Sequence, residues 1–295
     1  MLGPLALAST PSATPTVGVT VAVLTAAVLH AVWNALAHAF TDKLVGVAVL
    51  SAGFVVGGLV ALPWVGVPAR ASWPALLASS CVHVLYNLSL MRSYRLGAFN
   101  QVYPLARGMS PWTVALAAMV VVDEHLSAGQ LAGVVVVSVG LGCLVCARGR
   151  PRREELPAVA AAVVTGLLIA TYTVLDGVGV RRAEGPLAYA AWLFVLHGAV
   201  VVVLVALHKG PSVLLRDIES HWRIGAVAGT CAVAAYGLVL VAQTRGSLAA
   251  VAALRETSVI VGAIIGAVVF KEPFGRWRTA ATVIVVAGIA LLNLA

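Results

Sequence analysis

The sequence predicts an all-α polytopic membrane protein: ten transmembrane helices, arranged as two inverted five-helix repeats around a central cavity. Three observations predict it. The chain is 61% hydrophobic and only 10% charged, with a mean hydropathy of +1.01, whereas soluble domains carry about 25% charged residues. Its apolar residues gather in runs of about 20, the length that crosses a bilayer core. An arginine deep inside one run, Arg107, recurs as Arg255, and each is followed 17 positions later by a glutamate, Glu124 and Glu272.

The elements follow in order. Residues 1–16 are a lead with Pro, Ser and Thr, expected to be disordered; it lacks the basic start of a signal peptide. The first span, Val17–Phe40, carries one polar stripe at helical spacing: His30, Trp33, Asn34, Ala37 and His38. The second, Leu44–Trp64, is nearly featureless. The third, Trp73–Met91, sets Ser79, His83, Tyr86 and Asn87 on one face. The fourth, Ala98–Val122, aligns Asn100, Tyr103, Arg107 and Ser110. Pro104 and Pro111 are expected to interrupt it, since each removes a backbone donor. The fifth, Ser127–Cys146, is apolar and rich in small residues; its Cys143 and Cys146 form a CxxC with no histidine nearby and are read as packing residues.

A basic linker, 147–155, holds four arginines. The sixth span, Leu156–Val180, offers Thr165, Tyr172 and Asp176, with Gly177 and Gly179 expected to loosen it. The seventh, Leu187–Leu207, holds a lone His197, read as structural. In the connection His208–Arg223, Val213–Trp222 is expected to form a small interfacial helix. The eighth, Ile224–Gln243, carries Tyr236 and Gln243. The ninth, Leu248–Phe270, carries Arg255, Glu256 and Ser258. The tenth, Trp277–Leu294, is again apolar. These runs lack the alternation of barrel strands and are about twice their length, which excludes a β-barrel.

The linker divides the chain into residues 17–146 and 156–295, five spans each. An odd number of spans makes the second copy enter the membrane from the opposite side, and such inverted repeats hold substrate near the midplane. Besides the arginines, Ser110 corresponds to Ser258 and Gly140 to Gly288, all at an offset of 148. The polar stripes place the first, third, fourth, sixth, eighth and ninth spans around an interior. The other four are expected to face lipid or a partner, and the small-residue fifth and tenth offer a surface for a second copy.

Arg107, Asp176, Arg255 and Glu256 are costly in a bilayer, roughly 3 kcal/mol each at a helix centre, so they must face water, a ligand or one another. Two readings stand. In one, the arginines pair with Asp176 and Glu256 and only fix helix packing. In the other, Arg107 and Arg255 hold the anionic group of a substrate, because the guanidinium fork matches a carboxylate or phosphate. Asp176 or Glu256 then takes an amine or a coupling proton. Trp33, Asn34, Tyr86, Asn87, Tyr103, Tyr172 and Tyr236 would line the site, and His30 and His38 are candidate proton relays. The sequence holds no nucleotide-binding loop, no metal cluster and no basic stripe with interleaved aromatics, so no cofactor, no metal and no nucleic-acid partner is expected.

Several strings carry a family resemblance: His30-Ala31-Val32-Trp33-Asn34, Tyr86-Asn87-Leu88-Ser89-Leu90, Val102-Tyr103-Pro104-Leu105-Ala106-Arg107-Gly108, Glu124 followed by Gln130 and Gly133, and Lys271-Glu272-Pro273. They resemble EamA-type members of the drug/metabolite transporter superfamily. The resemblance implies ten helices around a central cavity and a secondary carrier or exporter, in the inner or plasma membrane, of a small polar metabolite such as an amino acid. The alternative is a non-transporting structural or sensory bundle with paired buried charges. The second repeat departs from the first: Ala253 and Leu254 replace the Pro-Leu-Ala lead, and Glu256 stands where the first repeat has Gly108. Orientation carries a conflict. With the N-terminus outside, the inner loops hold 13 basic residues against 4 on the other side, which the positive-inside rule favours; the family resemblance implies both termini inside.

Overall fold

In the computed structural model the described residues are 15–38, 40, 42–97, 99–146, 153–268 and 276–294, and no strand occurs among them. The helices are α1 (Val17–His38), α2 (Lys43–Val65), α3 (Trp73–Leu96), α4 (Phe99–Val121), α5 (Ala128–Cys146), α6 (Leu156–Arg181), α7 (Pro186–Lys209), α8 (Pro211–Ser220), α9 (Trp222–Gln243), α10 (Leu248–Arg255), α11 (Thr257–Val268) and α12 (Arg276–Leu294). Their ends follow local chemistry. Asp42 caps α2 by accepting from the Leu44 N–H at 2.8 Å, and Ser247 caps α10 through the Ala250 N–H at 3.1 Å. Prolines open α3, α6, α7 and α8, where a missing N–H costs nothing. Gly66 and Gly210 end α2 and α7 at φ 71° and 90°, a region costly for other residues.

Six segments are long and apolar enough to cross a membrane: α1, α2, α3 with its leading turn, α6 with its leading turn, α7 and α9. Residues 105–121, 128–143 and 279–292 form shorter apolar helices. The chain is therefore an all-helical membrane protein. The ninth predicted span is not one helix. It breaks at Glu256, whose N–H donates to the Ala253 carbonyl and whose own carbonyl accepts from the Val259 N–H, the tighter three-residue spacing. The break falls where two buried charges, Arg255 and Glu256, stand side by side. α4, expected to be interrupted at Pro104 and Pro111, is one helix throughout. The short helix expected before the eighth span is α8; it tucks Leu214 against Ala48 and Val205. Glu272, the side chains of His38, Tyr103 and Cys146, and most of the lead and basic linker lie outside the described residues.

Helix pairing sets the architecture: α2 packs on α7, α5 on α12, α3 on α6, α1 on α9, and α4 on both α5 and α6. Glycines permit the closest approaches. A methyl at Gly58 would lie 2.6 Å from the Ala191 carbonyl oxygen, and one at Gly198 would lie 2.8 Å from that of Ser51. Between these crossings the Phe54 and Phe194 rings meet at 5.0 Å. On the other pair, Gly140 faces the Val285 side chain and Gly288 that of Val137. The small residues of the fifth and tenth spans, expected as a surface for a second copy, are thus used against each other within the chain.

The two ends of the bundle are held differently. At one, Lys209 pairs with Asp42, and the Phe40 and His221 rings touch. At the other, Arg181 ties three elements together: it donates to Glu124 Oε1 at 3.1 Å and to the carbonyls of Gln243 and Gly246 at 2.9 Å each. Glu124 also accepts from the Leu248 N–H at 2.7 Å, placing a carboxylate at the N-terminus of α10, where the helix dipole favours it.

Candidate functional site

The polar faces of α1, α3, α4, α6 and α9 converge on a cavity of about 310 Å³. His30, Trp33 and Asn34 reach it from α1, and His83, Tyr86 and Asn87 from α3. Arg107, Tyr172, Tyr236 and Arg255 reach it from α4, α6, α9 and α10. The cavity runs from the two arginines toward Met91 and Lys43, on the end of the bundle where Asp42 and Lys209 pair. The opposite end is the one bound by the Arg181 network.

Asn34 and Asn87 hold matching positions: each side-chain amide donates to the carbonyl four residues back, His30 at 2.7 Å and His83 at 2.8 Å. An amide spent in that way cannot also swing freely, so both residues are fixed on their helices. Tyr86 and Tyr172 meet edge to face at 5.4 Å, and Tyr172 stacks on His83 at 4.0 Å.

Arg107 and Arg255 are each 4% exposed, but their partners differ. Arg107 Nε lies 2.9 Å from Glu256 Oε2, and its Nη2 donates to Ser258 Oγ at 3.2 Å. Both partners belong to the second half of the chain. For Arg255 no ion pair forms among the described residues, and its Nε and Nη2 are buried without a hydrogen-bond partner. Ser110, at the position equivalent to Ser258, likewise has an unpartnered buried hydroxyl. The difference follows from sequence: the position equivalent to Glu256 is Gly108, which has no carboxylate to offer.

The two carboxylates do not line the cavity, contrary to the sequence expectation. Glu256 is fully buried against Arg107. Asp176 is fully buried too and pairs with no arginine. It faces His83 Nε2 at 3.1 Å and accepts from the hydroxyls of Tyr189, at 3.0 Å, and Tyr236. Desolvation of a carboxylate is offset here by three polar partners instead of an opposite charge. Asp176 therefore meets the cavity only through His83 and Tyr236. Of the proposed relays, His30 is at the wall.

Sequence reasoning missed three contributors. His197, read as structural, lines the cavity and stacks on His83 at 4.9 Å. His83 was placed on the correct face but given no role. The second and seventh spans, expected to face lipid or a partner, supply Lys43, Ser51, Phe54 and His197 to the wall. Ser51 and His197 were the available signals, because a polar group inside a featureless apolar helix needs a partner away from lipid.

Comparisons with known proteins agree with this architecture. Residues 156–294 match the family model described as "EamA-like transporter family". No curated protein matches the chain. Among solved structures 28 chains match. One, described only as "Crystal structure of protein", is 18% identical with a TM-score of 0.74, over 94% of this chain and 95% of its own; at that identity the likeness shows the fold alone. Over residues 156–294, then, the chain is similar to the EamA-like transporter family, part of the drug/metabolite transporter superfamily.

Proposed function

We propose that the chain is a secondary carrier that moves a small polar metabolite, anionic or zwitterionic, across the inner or plasma membrane. Ten spans form two inverted five-helix repeats, residues 17–146 and 156–295. The repeat reading is supported by reciprocal contacts. Ser51, Phe54, Val55 and Gly58 of α2 meet Ala191, Phe194, Val195 and Gly198 of α7, and each residue is 140 positions from its equivalent. Gly140–Val285 and Val137–Gly288 repeat the pattern at an offset of 148. Contacts that map onto themselves under exchange of the halves are what a two-fold axis in the membrane plane produces. The break between α10 and α11 fits the same class, in which interrupted helices sit at the substrate.

The observation that carries the function is a cavity with two arginines at its wall, whose lining reaches Lys43 and Met91 toward one end of the bundle, while Arg181 and Glu124 tie the helices together at the other. A static scaffold has no use for a chamber lined by polar and charged side chains. The Lys43 end also collects Arg92, Arg95, Lys209, Arg216 and Arg223; under the positive-inside rule it faces the cytoplasm. A carboxy-terminal reporter active only in the cytoplasm would reverse that orientation. Reconstitution into vesicles tests the function. With a panel of labelled small carboxylates and amino acids, at least one member is expected to exchange across the vesicle membrane, and the exchange is lost in Arg255→Gln. Absence of flux for the whole panel would favour the non-transporting bundle.

A further inference from the structure

The proposed function leaves the charge of the cargo open, and the cavity's own charges narrow it. Three ionic groups meet at its inner end: Arg107, Arg255 and Glu256. Glu256 is engaged by Arg107 at 2.9 Å, so with Glu256 ionised the trio carries one positive charge in excess, and Arg255 is the cation with no ion pair among the described residues. Its Nε and Nη2 are buried and have no hydrogen-bond partner. A buried guanidinium with unmade bonds is an unfavourable arrangement that two oxygens of an oxyanion relieve, through the fork geometry that suits a carboxylate.

An amine finds no such partner. A zwitterion such as an amino acid would need a carboxylate at the wall to match its ammonium. Neither Asp176 nor Glu256 lines the cavity; both are fully buried, Asp176 behind His83 and Tyr236, Glu256 against Arg107. The remaining charged group at the wall is Lys43, another cation, toward the mouth. His83 is hydrogen-bonded to Asp176. Besides Asn34, Asn87, Ser51 and the histidines, the rest of the chamber is mostly aromatic and aliphatic, including Trp33, Leu50, Phe54, Tyr86 and Val239, walls that favour an apolar body.

Building on the carrier reading above, we infer that this chamber is built for a monoanion with an apolar body and no amine, its carboxylate held by Arg255, while Arg107 acts as an internal strut. The assignment separates the two duplicated arginines into different jobs. It also removes the amine-binding role that the sequence suggested for Asp176 and Glu256.

The test uses the full-length purified protein in detergent and three isosteric probes: 4-methylpentanoate, its neutral amide 4-methylpentanamide, and leucine, which adds the amine. The acid at about tenfold saturation is expected to raise the unfolding midpoint by roughly 3 °C, with little or no shift for the amide and for leucine. The shift is lost in Arg255→Gln and reduced in Arg255→Lys, which keeps the charge but not the fork. Retention of a monodisperse elution profile shows that each variant is folded. A shift for leucine equal to that for the acid, a shift that survives Arg255→Gln, or no shift for the acid would each overturn the inference. The two readings fail separately: binding of the acid without vesicle flux sinks the carrier and keeps the anion site, while flux of zwitterions independent of Arg255 does the reverse.

Discussion

Arg107 and Arg255 occupy equivalent positions in the two halves, are equally buried, and do different things. Arg107 reaches across the interface to Glu256 and Ser258. Arg255 has the mirror-image options, Gly108 and Ser110, and uses neither: glycine has no carboxylate, and the Ser110 hydroxyl is unpartnered. The two halves carry matching cations, and one difference, glycine against glutamate, gives one of them an ion-pair partner. The comparison teaches that matching positions of a charge do not fix what the charge meets.

The largest expected effect tests the strut. Arg107→Gln leaves Glu256 buried without its cation, and removing one member of a buried pair costs about 3–5 kcal/mol. Adding Glu256→Gln is expected to recover much of that loss, because the stranded charge is gone. Reversible denaturation of the two single variants and the double variant in mixed micelles measures the coupling. Additive losses would show that the pair contributes nothing specific.

A smaller effect, of opposite sense, is expected at the other arginine. Arg255→Gln removes a buried cation that lacks hydrogen bonds, so stability in the absence of ligand should hold or rise, by at most about 1 kcal/mol. The same denaturation series checks it. A loss as large as that of Arg107→Gln would erase the distinction between the two sites.

The smallest effect lies at the rim and calibrates the interior. The hydrogen bond from Lys209 holds the Asp42 carboxyl below its ordinary value of 3.8. A carboxyl depressed in the folded state contributes stability above its unfolded pKa and loses it as pH falls through the folded one. The stability difference between wild type and Asp42→Asn should therefore close as pH drops below about 4, as thermal melts at stepped pH would read. Asp42 is half exposed and screened by solvent, so the whole difference is modest.

Much of the architecture was legible because hydrophobic run length reports helices directly. Arg107, Tyr172, Tyr236, Trp33 and Tyr86 were placed on interior faces by helical spacing, and all of them line the cavity. What spacing could not report was depth. Asp176 lies on the same helix as Tyr172, yet it turns behind His83 and Tyr236, because the direction of a side chain past its own helix depends on the neighbour it meets. The Arg107–Glu256 pair joins residues 149 positions apart, and it depends on where two halves touch. The helix break at Glu256 had no proline or glycine to announce it, whereas the two prolines that did announce a break, Pro104 and Pro111, sit inside an unbroken helix. The second and seventh spans were misassigned because sparse polarity was read as exposure to lipid or a partner; Ser51 and His197 needed to be weighed one by one.

The crossing of α2 and α7 has a consequence for inheritance. Gly58 and Gly198 each leave room for a backbone oxygen of the opposite helix and for nothing larger. A single codon change to alanine at either site pushes the two halves apart on one side only, and no adjustment at the other glycine can restore the balance, since that site has no bulk left to surrender. Each glycine therefore sets the spacing of the seam by itself, and losing either one has to be answered by moving a whole helix.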